Sequence, residues 1–312
     1  MFEDRKQQFL TEKREKVVLS DNLENFFDLA KDREEELGRD ICEWNSDEII
    51  GFYKYYSTPS ISVLNVLHSA LNEYANWCLV NGLIADNQNH FSEINTEALC
   101  KCVDNKRIMD SIYTRQDILD YIKDISNYCG QFIILGLFEG IPVTDNVMKN
   151  VKLSDLNGNK LSLSNGKELV ISSDLIHIMH LADQEDAWYM LSDKPRYKEV
   201  KRPYVQDGCI VRYSKLDRGK SSSAILIGSR FRASVKYSGL PGNPTMKNIM
   251  ESGRICYILN LMKEYGCSWN DCLDKKEMRE KHEYIYGKIQ SIKIYKNLYG
   301  GYFDEMSKNL DI

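Results

Sequence analysis

The chain has 312 residues, 43% hydrophobic and 28% charged, the balance of a soluble globular protein long enough for two domains with separate cores. No apolar run approaches the ~20 residues that cross a bilayer, and the charged stretch Met1 to Lys16 lacks the apolar core of a secretory signal, so a cytoplasmic protein is expected. The net charge of −5 is unevenly spread: residues 1–110 carry −9, residues 111–312 carry +4, and residues 191–250 alone carry +9, an electrostatic footprint for a polyanion inside an acidic chain.

The first hundred residues read as helices. Phe2 to Val18 and Asp21 to Leu37 are amphipathic, the second stopped at Gly38. Asn45 opens a third, with Asp47 and Glu48 in the first turn, where carboxylates suit the helix dipole. Thr58-Pro59 starts a longer helix, threonine as N-cap and proline at the first helical position. Along it Leu64, Leu67, Leu71, Tyr74 and Trp77 recur at core spacing until Asn81-Gly82 ends it. A short helix over Asn95 to Val103 follows, and Asp104 to Ile112 reads as a linker.

Thr114 then caps a helix, with Asp117 in the capping-box position. The apolar helix Gln131 to Glu139 breaks at Gly140-Ile141-Pro142. Strands are expected at Val151 to Leu156, Lys160 to Leu163 and Glu168 to Ile171, joined by Asn157-Gly158-Asn159 and Asn165-Gly166 turns. Ser173-Asp174 caps a helix that carries His177 and His180. Within the basic stretch, Cys209 to Arg212 and Ala224 to Ile227 read as short strands. Pro244 precedes a helix from Thr245 to Tyr265, and Asp271 to Leu310 is helical. The fold class is therefore mostly α with a small β-sheet (α+β): a helical domain over 1–108 and a mixed domain over 109–312. Nine scattered cysteines without a CxxC pair read as reduced thiols, and His177 and His180 lack companion ligands, so neither a metal nor a cofactor is expected.

Three segments carry a resemblance. Trp77-Cys78-Leu79-Val80-Asn81-Gly82-Leu83-Ile84 resembles a helix end in the core-binding domain of phage integrases. Tyr113-Thr114-Arg115-Gln116-Asp117-Ile118 resembles the start of their catalytic domain, and Phe132 to Ile141 with Val151-Lys152-Leu153-Ser154-Asp155-Leu156 resembles its apolar helix, turn and first strand. In order and spacing, the whole chain resembles the tyrosine recombinases. That resemblance implies DNA cleavage by a tyrosine, with two arginines, a lysine and histidines stabilising the charged phosphate.

At the matching positions this chain departs from the pattern. Pro142 stands where the first arginine belongs. Glu251 stands for the second, and Asn248 and Ser252 stand for the flanking histidines. Arg254 is nearby but lies close to a full turn along. Tyr295, with Tyr299 one turn later, matches the nucleophile as a remnant, and Lys167 matches the hairpin lysine. Losing even one fixed donor typically costs ~10²–10³ in rate, so the resemblance implies a non-cutting member, not an enzyme. The Phe-Glu-Gly-Ile turn and the Ser252-Gly253-Arg254 element resemble the MrpR-type lysogeny repressors of Bacillus prophages. That branch implies binding of repeated phage operators in double-stranded DNA, relieved by an antirepressor protein or peptide that no residue here identifies. The alternatives are an active or accessory recombinase and a protein-interaction module.

The family architecture implies a clamp around the duplex. Lys201, Arg202, Arg212, Lys215, Arg218, Lys220, Arg230, Arg232, Lys236, Lys247 and Arg254 are the candidate DNA contacts, mostly to phosphates. Arg212, Arg230 and Arg232 are expected to dominate affinity, replaceable without unfolding. Ser221 to Ser223 would add neutral phosphate contacts. In the acidic domain Lys54 and the segment Lys101 to Arg107 are the candidate basic face.

Overall fold

The computed structural model describes residues 2–14, 22–191, 199–215, 222–238 and 244–308. By contacts the chain divides into two units, Met1–Ile108 with Lys293–Gly301, and Met109–Ile292 with Tyr302–Ile312. The architecture is mostly helical with two small antiparallel sheets.

The first unit contains α1 (Glu3–Arg14), α2 (Asn22–Leu37), α3 (Ser46–Tyr56), α4 (Ile61–Val80), α5 (Thr96–Cys100) and α6 (Asn105–Met109). Asn45 and Glu48 form a reciprocal capping box at the start of α3, which satisfies two otherwise orphaned amides. The core is aromatic: the Tyr74 ring lies 5.2 Å from Phe9 and 4.9 Å from Phe27. Its hydroxyl donates to the fully buried Asp40 at 2.9 Å. Lys6 and Glu34 form a buried ion pair at 2.5 Å, and Glu34 also accepts from the Ile41 amide. Burial pushes the Glu34 carboxyl pKa up, opposed by the Lys6 hydrogen bond.

The second unit contains α7 (Arg115–Ile122), α8 (Tyr128–Phe138), α9 (Val147–Asn150), β1 (Leu156–Asn157), β2 (Lys160–Ser162), β3 (Glu168–Val170), α10 (Ser173–Gln184), β4 (Ala187–Leu191), β5 (Glu199–Pro203), α11 (Ser223–Ser238), α12 (Met246–Tyr265), α13 (Trp269–Asp274) and α14 (Lys276–Tyr286). Strands β1, β2 and β3 form one sheet and β4 with β5 a second. Helix α8 is the axis of the core, buried at every residue from Cys129 to Phe138. Helices α7, α10, α11 and α12 pack around it. At the α8–α12 crossing, a Cβ on Gly253 would overlap the Phe138 carbonyl, so only glycine allows this approach. The last helix, α15 (Ile292–Lys308), contributes residues to both units.

Several expectations need correction. The long helix begins at Ile61 with Ser60 as N-cap, because the Thr58 hydroxyl accepts from the Ser60 amide one turn too early to start it. The expected linker contains α6, whose Arg107 amide donates to Asp104. Ser172, not Ser173, caps α10. Ala224 to Ile227 is helical: Leu226, Ile227, Phe231 and Val235 form a buried stripe on α11. Cys209 to Arg212 makes an isolated bridge through Cys209, not a strand. No described helix is long and apolar enough to cross a membrane, and no cluster of potential metal ligands occurs among the described residues.

Two glycine substitutions separate these constraints. Gly253→Ala should destabilise the protein by about 1–3 kcal/mol or more, the range for overpacking a core. Gly301→Ala, in open space on α15, should stabilise by about 0.5–1 kcal/mol because alanine suits a helix interior. Urea unfolding of both variants checks the pair.

Candidate functional site

Pro142, Asn248, Glu251 and Ser252, the positions expected to match the phosphate clamp, all lie in the second unit. Gly140, at φ 90, turns the chain after α8 and leads to the half-buried Pro142. Pro142 has neither an amide proton nor a charge to offer an anion. On α12, Asn248 completes the Thr245 capping box and donates to Ser111 at 3.1 Å. Ser252 donates to the Asn248 carbonyl at 2.7 Å and accepts from the Tyr113 amide at 3.0 Å. Both residues hold structure together. Glu251 lies 3.7 Å from Arg254. The Arg254 guanidinium, 4% exposed, donates to the Tyr286 carbonyl at 2.6 Å. Arg254 is thus corrected from a DNA contact to a buried helix-end cap.

The end of α14 closes this region. Lys167, in the turn between β2 and β3, donates to the Tyr284 carbonyl at 2.7 Å. The Tyr284 hydroxyl accepts from the Glu168 amide at 3.1 Å. The Tyr286 hydroxyl donates to the Phe138 carbonyl at 2.8 Å, and burial pushes its pKa well up. A Cβ on Gly140 would overlap the Ile285 side chain. Within the second unit, Tyr284 and Tyr286 thus lie at the end of α14 against Glu168 and Phe138. Tyr295 belongs to the segment grouped with the first unit, where its ring lies 4.6 Å from Tyr299. Tyr295 is buried on α15. The sequence signal overlooked was the Tyr284-Ile285-Tyr286 run before Gly287, which ends a helix whose carbonyls need donors.

The candidate DNA contacts fall into two groups. Arg212 is 2% exposed, lies 5.2 Å from the Tyr204 ring, and donates to Gln206 and to the carbonyls of Ala182 and Asp183 in the last turn of α10. Arg230 is 4% exposed and sits 4.4 Å over Trp188. It donates to the Tyr204 hydroxyl at 3.0 Å and the Arg212 carbonyl at 2.6 Å. Both side chains are inside the fold, so the expectation that they grip phosphate and can be replaced without unfolding is wrong. Burial leaves no path for DNA to reach them.

Lys215, Arg232, Lys236 and Lys247 are exposed. Arg232 and Lys236 line a cavity of about 460 Å³ with Phe231, Val235 and Met246, where α11 meets the start of α12. Lys201 is exposed but paired with Asp186 at 2.8 Å, and Arg202 is half-buried. Arg218, Lys220 and Ser221 lie outside the described residues; Ser222 is exposed and Ser223 half-buried, its hydroxyl on Asn146. In the first unit, Lys54 and Lys101 line one cavity of about 450 Å³ with Asn95. A separate cavity of about 640 Å³ is lined by Asp32, Glu36, Asp47 and Glu48. Glu97 also lines the first of these, where it pairs with Lys293, and Arg33 also lines the second.

Two family models match the chain, "MrpR, N-terminal core-binding domain" over residues 1–80 and "MrpR, C-terminal catalytic domain" over residues 112–297. These are the two parts of a tyrosine recombinase-like protein, and Tyr295 lies within the span matched to the catalytic domain. The chain belongs to the MrpR family. A crystal structure of XerA recombinase aligns with it at a TM-score of 0.38 and 11% identity, covering 98% of this chain and 97% of that one. No curated protein matches it.

Two measurements follow from the burial pattern. Arg230→Ala should cost at least about 2 kcal/mol, by orphaning buried acceptors and removing its stacking on two rings, whereas Arg232→Gln should stay within about 0.5 kcal/mol. Denaturant unfolding compares the two. His282 is fully buried, and burial, reinforced by Arg254, lowers its pKa from 6.5 to about 4. The unfolded state therefore binds a proton that the folded state refuses. Stability is full above pH 6.5 and should fall by roughly 2–3 kcal/mol as pH drops toward 4. In His282→Phe that part of the pH dependence should vanish, as read from melting temperatures across this range.

Proposed function

We propose that this chain is a sequence-specific double-stranded-DNA-binding repressor that maintains phage lysogeny by occupying operator repeats, without cutting DNA. The observation that carries the non-cutting part is Glu251. A carboxylate at the position of a phosphate-clamping arginine repels the charge that cleavage develops, and the adjacent Arg254 is buried on a backbone carbonyl. Pro142 supplies no substitute. DNA binding rests on the family's core-binding and catalytic-type domains together with the exposed cations Lys215, Arg232, Lys236 and Lys247. Lys54 and Lys101 are the matching pair in the first unit. Repression and lysogeny come from the resemblance to MrpR-type repressors, and an antirepressor remains the partner such a switch requires.

An electrophoretic shift with fragments of the cognate phage genome tests this reading. Complexes should be competitor-resistant and disappear on detergent denaturation. Arg232→Gln with Lys247→Gln should weaken binding and lower the salt slope by about one for each phosphate no longer neutralised. A detergent-resistant adduct would instead establish an active or accessory recombinase, and no shift on any fragment would move the function toward protein partners.

A further inference from the structure

We propose that Cys267 and Cys272 form a peroxide-sensitive dithiol whose reversible disulfide fastens the first turn of α13 to the end of α12.

The nine cysteines of the chain are all free thiols, and only Cys256 and Cys267 are less than fully buried. The Cys256 thiol is engaged by the Tyr113 carbonyl at 3.8 Å. The Cys267 thiol faces another sulfur instead: its Sγ lies 3.6 Å from that of Cys272. Cys42 and Cys78 also meet, but both are shut inside the core of the first unit, away from any oxidant in solution. Cys267 and Cys272 thus combine a sulfur that solvent reaches with a second one placed to resolve it, the arrangement of redox-sensing thiols.

Main-chain hydrogen bonds present the pair. Gly266, at φ 56, stops α12 in the left-handed conformation, and the Cys267 amide donates to the Met262 carbonyl at 3.2 Å. Ser268 then caps α13 through a reciprocal box with Asp271, and the Cys272 amide donates to the Ser268 carbonyl at 3.2 Å. A disulfide is about 2.05 Å long, so the two sulfurs need close by only about 1.5 Å. The Lys275 ammonium, paired with Asp271 at 2.9 Å, acts on both sulfurs and favours a thiolate there. Asp271 opposes it at Cys272, and burial pushes that thiol's pKa up. Cys267 is therefore the sulfur that reacts first.

The oxidant is a hydroperoxide. The Cys267 thiolate attacks one peroxide oxygen and the O–O bond breaks. Cys267 becomes a sulfenic acid, and the departing hydroxide takes up the thiol proton as water. The Cys272 sulfur then attacks the Cys267 sulfur. The S–S bond forms, the S–O bond breaks, and hydroxide leaves with the Cys272 proton as a second water. The sulfurs together lose two electrons and the peroxide gains them, and a thiol reductant reverses the bond by exchange. Between the two cysteines sits Trp269, whose ring stacks on Phe303 at 5.5 Å and whose Nε1 donates to Asp304 at 2.8 Å. Closing the bond brackets Trp269, so its seat against this part of α15 follows the redox state of the corner.

The full-length protein is exposed to hydrogen peroxide, alkylated under denaturing conditions and cut with trypsin. Both cysteines fall in one peptide, Glu264 to Lys275, so the bond reads as a peptide lighter by two hydrogens that takes no alkyl group. It should form before any buried cysteine elsewhere is lost, vanish with dithiothreitol, and slow amide hydrogen exchange in that peptide several-fold. Cys267→Ser should leave Cys272 reduced, and Cys272→Ala should stop Cys267 at a sulfenic acid that dimedone traps. The wild-type peptide decides the matter even if a variant fails to fold. The proposal is overturned if that peptide still takes two alkyl groups once Cys256 is oxidised. It is equally overturned if Cys267 goes on to sulfinic acid while Cys272 still alkylates, or if Cys267 bonds to any other cysteine. Unchanged hydrogen exchange in the bonded form would remove the fastening role.

Discussion

The second unit depends on the close approach of α12 to α8 at Gly253. Because no Cβ intervenes, α12 lies against the Phe138 carbonyl, the same oxygen that accepts the Tyr286 hydroxyl. One backbone carbonyl thereby ties together the core helix, α12 and the end of α14. Arg254, the next residue on α12, is delivered to the α14 terminus by this crossing. Ser252, the preceding one, is delivered to the Tyr113 amide at the entrance to the unit. The residues around position 251 are thus set by packing before any question of chemistry arises.

Basic residues at helix ends, two of them buried, share a second theme. Arg212 donates to carbonyls in the final turn of α10, while Arg254 and Lys167 do so in the final turn of α14. A cation at a helix C-terminus satisfies orphan acceptors and complements the dipole. Arg230 is held between Trp188 and Tyr204, with its second nitrogen on the Arg212 carbonyl. Burial of a guanidinium is tolerable only with such acceptors and ring faces, although the Nε of Arg212 and of Arg230 is left without a hydrogen bond. Among the described residues of this stretch, Arg212 and Arg230 are accordingly components of the fold, while Lys201, Lys215, Arg232, Lys236 and Lys247 are exposed.

Much of the fold was legible because its signals are local. The helix start at Asn45, the Thr114 capping box, the glycine stops at Gly38 and Gly82, and the Asn157-Gly158 turn all form, although the strand expected over Val151 to Leu156 shrinks to Leu156–Asn157 behind a tight turn at Leu153–Asp155. Ala224 to Ile227 misled because a four-residue apolar run has no resolvable period; only Phe231 and Val235 further along declare the helix. The β4–β5 hairpin escaped notice in a stretch dense with charge. The site was less legible. Sequence marks Arg212 and Arg230 as cations but says nothing of burial, since both depend on Tyr204 and Trp188 arriving from elsewhere in the chain. The contact of Lys167 with the end of α14 escaped for the same reason: Lys167 and Tyr284 are 117 residues apart.

The membership of Lys293–Gly301 in the first unit gives that unit a peculiar biography. Most of it is contiguous, yet the Lys293–Glu97 ion pair at 2.6 Å joins residues 196 positions apart, and the Tyr295–Tyr299 rings come from the same distant segment. Between the two parts runs most of the other unit, and Tyr302–Ile312 returns to it. Closing such a long loop costs conformational entropy that contacts within one contiguous segment do not. The first unit is therefore a discontinuous piece of chain, and the integrity of its first hundred residues is coupled to the correct placement of a segment far along the sequence.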